Sequence, residues 1–130
     1  MAYIKYKELT KYFDFREEIA ITDLPDYTTE YVSSDEKILL GYKTSRDHAV
    51  FTNKTMILFD RDIIKTYKKI HMIPYASIST SAICFKPGRA EIYLSLDSGY
   101  QMRINFINMN HDKKENLKVV YKEMVKCSNK

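Results

Sequence analysis

Between Val50 and Asp60 the chain reads Val-Phe-Thr-Asn-Lys-Thr-Met-Ile-Leu-Phe-Asp, two apolar runs on either side of Asn53-Lys54. β-Branched and aromatic residues favour a pleated strand, and Asn tolerates the left-handed backbone that a short hairpin turn requires. The stretch therefore predicts two strands joined by a tight turn. Everything downstream repeats this rhythm.

Strands are expected at 38–44, 48–52, 55–59, 70–73, 79–85, 91–96 and 100–106, with Ser45-Arg46-Asp47 as the first turn and 60–68 as a polar loop. Pro74 marks an edge or a bend, because proline cannot donate to a ladder. Lys86-Pro87-Gly88-Arg89 has the sequence of a type II turn, whose third position needs the positive φ that Gly supplies. In the last two strands, Ile92, Leu94, Leu96 and then Tyr100, Met102, Ile104, Phe106 alternate with polar residues. Period two puts one face in a core and one in water.

The period changes once, near the end. Leu117, Val120, Tyr121 and Met124 form a single helical stripe, and Asp112 with Glu115 resembles a capping box, which predicts a helix at about 112–126. Burying such side chains at roughly 1.5 to 3 kcal/mol each is ample to dock it on a sheet. A helix is also expected from about Lys5 toward Ile19, on the spacing of Tyr6, Leu9 and Phe13, followed by a stop at Pro25 and a loop or short arm.

At 130 residues the chain is one domain, and 45% hydrophobic content with only three Gly and three Pro places it among globular proteins. The net charge of +4 is unevenly spread: residues 12–36 hold Arg16 against eight acidic residues, a net −7. The expected division is an acidic segment at 1–35 and a folded body at 36–127. Attraction between them, within or between subunits, competes with a reading of two solvated faces. With no signal-like leader, no apolar run near the ~20 residues of a membrane span, and two isolated cysteines, a cytoplasmic location is expected.

Seven short strands closed by an amphipathic helix describe a small barrel or sandwich. Phe51-Thr52-Asn53-Lys54 leading to Asp60, followed by Ile73-Pro74-Tyr75-Ala76-Ser77-Ile78, resembles the signature of the bacterial pleckstrin-homology-like family over about residues 36–125. Thr55 departs from it, standing where the family usually has a basic residue. The resemblance implies a mainly β fold: a seven-stranded barrel of two orthogonal antiparallel sheets capped by the C-terminal helix. It also implies a cytoplasmic, non-enzymatic module that tends to form symmetric homo-oligomeric rings, with no established ligand.

Pleckstrin-type folds often bind anionic lipid heads through the loops joining strands one to two and three to four. Consecutive hairpins alternate ends, so these loops should share one end and bring together Lys43, Arg46, Arg61, Lys65, Lys68 and Lys69, with Asp47, Asp60 and Asp62 offsetting half of the charge. On the C-terminal helix, Lys114, Lys118, Lys122 and Lys126 repeat every fourth residue, a spacing at which like charges repel by about 0.2–0.5 kcal/mol per pair. That stripe is either a solvated flank or a face for an anionic partner: an acidic segment such as residues 12–36 of a neighbouring subunit, a membrane surface or nucleic acid. Specific nucleic-acid binding is not expected, because Tyr121 belongs to the apolar stripe and no exposed aromatic stands beside the lysines. The dispersed His48, His71 and His111 and the absence of nucleophile or phosphate-loop motifs point to no metal, cofactor or catalytic group. Two functions remain: a homo-oligomeric scaffold or protein-binding domain working through strand edges, and a peripheral membrane module using the basic loops.

Overall fold

The computed structural model describes residues 14–45, 47–62 and 67–128. Eight strands are present: β1 (Asp14–Ile19), β2 (Ile38–Thr44), β3 (His48–Thr52), β4 (Thr55–Asp62), β5 (Tyr67–Pro74), β6 (Ile78–Lys86), β7 (Arg89–Leu96) and β8 (Gln101–Phe106). One helix, α1 (His111–Ser128), ends the fold, and single 3-10 turns occupy Ile21–Asp23, Asp26–Thr29 and Tyr75–Ser77. The expected strands correspond to β2 through β8. Gly88 has φ of 73°, as the Pro87-Gly88 turn requires.

Two expectations are corrected by β1. The helix expected from Lys5 to Ile19 is a strand over 14–19, and the rest of that expectation lies outside the described residues. Nor are there two orthogonal sheets. The described strands form a single sheet of eight in the order β5-β4-β3-β2-β1-β8-β7-β6. Two antiparallel meanders, β2–β5 and β6–β8, are stitched together by β1, antiparallel to β2 and parallel to β8. The stitch is made by Phe15. It is fully buried, with its ring centroid 4.8 Å from Phe106, 5.5 Å from Tyr42 and 5.7 Å from Phe51. A strand whose only buried residue is one Phe, followed by Arg16-Glu17-Glu18, gives no period-two signal.

The apolar faces of both meanders and the stripe of α1 enclose the main core. Leu117, Val120 and Met124 are completely buried there, and the Tyr75 hydroxyl donates to the Thr52 carbonyl at 2.8 Å. The helix is capped by Asn110 rather than Asp112: Asn110 Oδ1 accepts from the Lys113 N–H at 2.9 Å. Asp112 lies inside the first turn, and Glu115 instead pairs with Lys118 at 3.2 Å.

A second cluster forms on the outer face of the first meander. Leu24 packs with Val50, Ile57 and Phe59, and Tyr27, Val32 and Ile38 close around them. Residues 20–36 thus lie across β2–β4, which explains the continuous apolarity of the 50–59 hairpin, since its strands are covered on both faces. A Cβ on Gly41 would fall 2.7 and 2.8 Å from the Leu24 methyls, so glycine there permits the close approach. Apolar contact holds this acidic segment more than charge does. Among the described residues its ion pairing to the body is the exposed Lys54–Asp35 contact at 2.6 Å.

Candidate functional site

Between β2 and β3, Asp47 lies beside the start of β5 and accepts an ion pair from Lys68, Nζ to Oδ2 3.0 Å; residues 63–66, which join β4 to β5, lie outside the described residues. The same carboxylate accepts from the Tyr27 hydroxyl and from His48 Nδ1, the latter at 2.8 Å. Lys68 Nζ also lies 3.5 Å from the centroid of the Tyr27 ring, a cation–π contact. Burial works against charge on Asp47, yet the bonds from Tyr27, His48 and Lys68 outweigh it and hold its carboxyl below the ordinary range. Burial, and then the bond to Asp47, push the Tyr27 phenol up.

The remaining basic positions at this end are dispersed. Lys43 is exposed on β2; Arg61 is exposed on β4 opposite Lys68, and Lys69 is exposed opposite Asp60. Arg46 and Lys65 lie outside the described residues. An anion arriving here meets Lys68 already held by Asp47, and Asp60 8% exposed, 3.9 Å from His71 through its carboxylate. Converging free cations are what phosphate recognition needs.

The lysines of α1 are differently placed. Lys114 Nζ donates to the Lys86 carbonyl at 2.7 Å, and Lys118 Nζ lies 5.4 Å from the Phe85 centroid, so both stand beside β6. Lys122 and Lys126 are exposed. On the outer face of the second meander, Glu91 is 5% exposed and bonded by Lys86 at 2.5 Å, with the Tyr93 hydroxyl donating at 3.2 Å. The Lys86 bond, outweighing burial, keeps the Glu91 carboxyl below its usual range. A cleft of about 190 Å³ opens between β5 and the β7–β8 turn, lined by Ile73, Pro74, Leu96, Tyr100 and Met102 among others. It is smaller than the roughly 300–1,000 Å³ of ordinary ligand pockets.

The model for the family described as "Bacterial PH domain" matches residues 9–128. The chain belongs to that family. This bacterial PH domain is similar in fold to a DUF1696 family protein with a pleckstrin-homology domain from Shewanella loihica PV-4, with TM-score 0.62 and 22% identity over 86% of this chain and 96% of that one. A PH-domain-containing protein from Exiguobacterium sibiricum 255-15 gives TM-score 0.61 and 21% identity over 86% of this chain and 61% of that one. The pleckstrin homology domain from Shewanella amazonensis SB2B gives 0.56 and 24% over 83% and 90%. No curated protein matches the chain. At these identities the likeness concerns the fold.

Sequence reasoning expected the two basic loops of this PH domain at one end and missed Tyr27 and His48 as partners of Asp47. Tyr27 comes from a segment whose docking had no periodic signal. The buried Glu91 was legible only as a polar residue in an alternating strand; nothing in its spacing announced burial. Among the described residues, no group of three or more His, Cys, Asp or Glu could hold a metal ion, and no helix is long and apolar enough to cross a membrane.

Proposed function

We propose that this PH domain is a non-catalytic interaction module that works by strand addition and assembles with copies of itself. The observation that carries this reading is that the sheet is open: among the described residues, β5 and β6 each pair on one side only. An open edge offers a row of N–H and C=O groups to another chain. Two unequal edges in one sheet suit head-to-tail pairing, β6 of one copy beside β5 of the next, and such heterologous contacts give rings when the rotation closes. Docking on anionic lipid through Lys43, Arg61, Lys68 and Lys69 is less well supported, because Asp47 already engages Lys68.

Light scattering after size exclusion, at low and at high salt, tests the assembly. The expected result is one closed oligomer at both salts, since ladder hydrogen bonds are less screened than surface charge pairs. A monomer at both salts overturns self-assembly.

A further inference from the structure

We propose that the outer face of β6–β8 holds a binding site for a nucleoside phosphate unit, with the base against Tyr93 and the phosphate against Arg103. A single-stranded nucleic acid and a free nucleotide present the same ring and the same charge. Pairing at the edges of β5 or β6 extends the sheet sideways and leaves this face open, so the site does not depend on self-assembly.

The register of the second meander decides which side chains share the face. Ile92 and Ile104, opposite one another on the ladder, point into the core, as do Leu94 and Met102. The rows between them, Ala82–Tyr93–Arg103 and Thr80–Ser95–Gln101, face the other way. On the first meander the corresponding face is apolar and lies under residues 20–36. Here Tyr93 is 39% exposed and the Arg103 side chain 55%.

A buried carboxylate organises this face. Glutamate is almost never buried unless its charge is paired, and three side chains converge on Glu91: Lys86 Nζ at 2.5 Å, the Tyr93 hydroxyl at 3.2 Å and Arg103 Nε at 3.8 Å. Tyr93 and Arg103 are thereby held side by side before any ligand arrives, which lowers the ordering cost of binding. A guanidinium carries five N–H donors, so one contact through Nε does not exhaust it.

Beside Tyr93 lies a hollow of about 230 Å³, lined also by Thr80, Ala82, Ser95 and Gln101. It is smaller than the roughly 300–1,000 Å³ of a drug-sized pocket, and suits one ring of a larger molecule. Gln101, Thr80 and Ser95 offer donors and acceptors to the edge of a base. Charge then selects among ring-bearing ligands. The three strands set Lys86, Arg89 and Arg103 on this face against Glu91 alone, which is already engaged. A neutral sugar would use the hollow without the cations, and an acidic peptide the cations without the hollow. An exposed aromatic beside basic groups is what single-stranded nucleic acid requires. Sequence reasoning looked for that combination on α1; it stands on the sheet.

Two probes separate the sources: a fluorescein-labelled DNA strand of mixed sequence, about eight nucleotides long, and adenosine monophosphate, each followed by amide chemical shifts. Saturable binding is expected, with shifts at 80–82, 93–95 and 101–103. Binding of the strand alone assigns the polymer, binding of the mononucleotide alone assigns the free nucleotide, and binding of both assigns the shared unit. Tyr93→Ala should weaken binding about tenfold while Tyr93→Phe retains it. Arg103→Gln, at an exposed side chain, should lower the salt dependence of strand binding by about one phosphate contact, and it keeps the test open should Tyr93→Ala not fold. Four results overturn the proposal: neither probe binds, a folded Tyr93→Ala or Arg103→Gln binds as the parent does, the shifts gather elsewhere, or maltose binds as well as the mononucleotide.

Discussion

Asp47 is the residue on which the basic end of the sheet turns. Its carboxylate takes bonds from three elements: Tyr27 in the overlying segment, His48 at the start of β3 and Lys68 in β5. Those bonds make the charged form the stable one in the folded chain, so its folded pKa lies below the ~3.9 of an unfolded Asp. Protonation then favours unfolding: the contribution is fully present above about pH 4 and is lost as pH falls through the depressed value. Asp47→Asn is expected to lower stability at neutral pH by about 1–3 kcal/mol, since it removes a charged acceptor from several donors. Urea melts at pH 7 and at pH 3 check this. The gap between parent and variant should shrink at pH 3, and a gap that does not change with pH would assign the loss to packing. None of this was visible from the sequence, where Asp47 read as a turn residue that diluted a cationic loop. A carboxylate's partners across distant segments follow from docking, not spacing.

Among the elements, the hairpins and α1 were legible because period and turn chemistry agreed: Asn53-Lys54, Pro87-Gly88 and the Leu117–Val120–Met124 stripe each state their structure locally. β1 was not. Its place is set by one aromatic side chain and by two partners far along the chain, β2 and β8, while Arg16-Glu17-Glu18 stay at the surface or half-buried. Tertiary contact overrode a weak helical pattern. Phe15→Ala should therefore be costly, about 3–5 kcal/mol, because Tyr42, Phe51 and Phe106 all lose a neighbour at one point. Chemical denaturation measures it, and a loss below about 1 kcal/mol would mean that β1 does not hold the two meanders together. The candidate site divided in the same way. The helix lysines were readable from their fourfold spacing, but the position of Lys114 and Lys118 beside β6 needed the order of the strands.

At the scale of the whole molecule, residues 14–36 of the acidic segment are part of the fold. Removing residues 1–34 takes away β1 and strips the cover from Val50, Ile57 and Phe59, which are now completely buried. Each exposed side chain of this kind costs roughly 1.5–3 kcal/mol against a total stability of about 5–15 kcal/mol. The shortened chain is expected to lose its cooperative thermal transition and to bind an apolar dye such as ANS; an unchanged melting temperature would make the segment an appendage. The parallel pairing of β1 with β8, Asp14 opposite Asn105, also sets a schedule for the newborn polypeptide. At about 5–20 residues per second, a ribosome finishes β8 several seconds or more after β1 has emerged. Throughout that interval β1 can join β2 but has nothing on its other side. The nascent chain therefore carries an extra unsatisfied strand, and it is in that window, before release, that a chaperone or a wrong neighbour has its best opportunity to claim it.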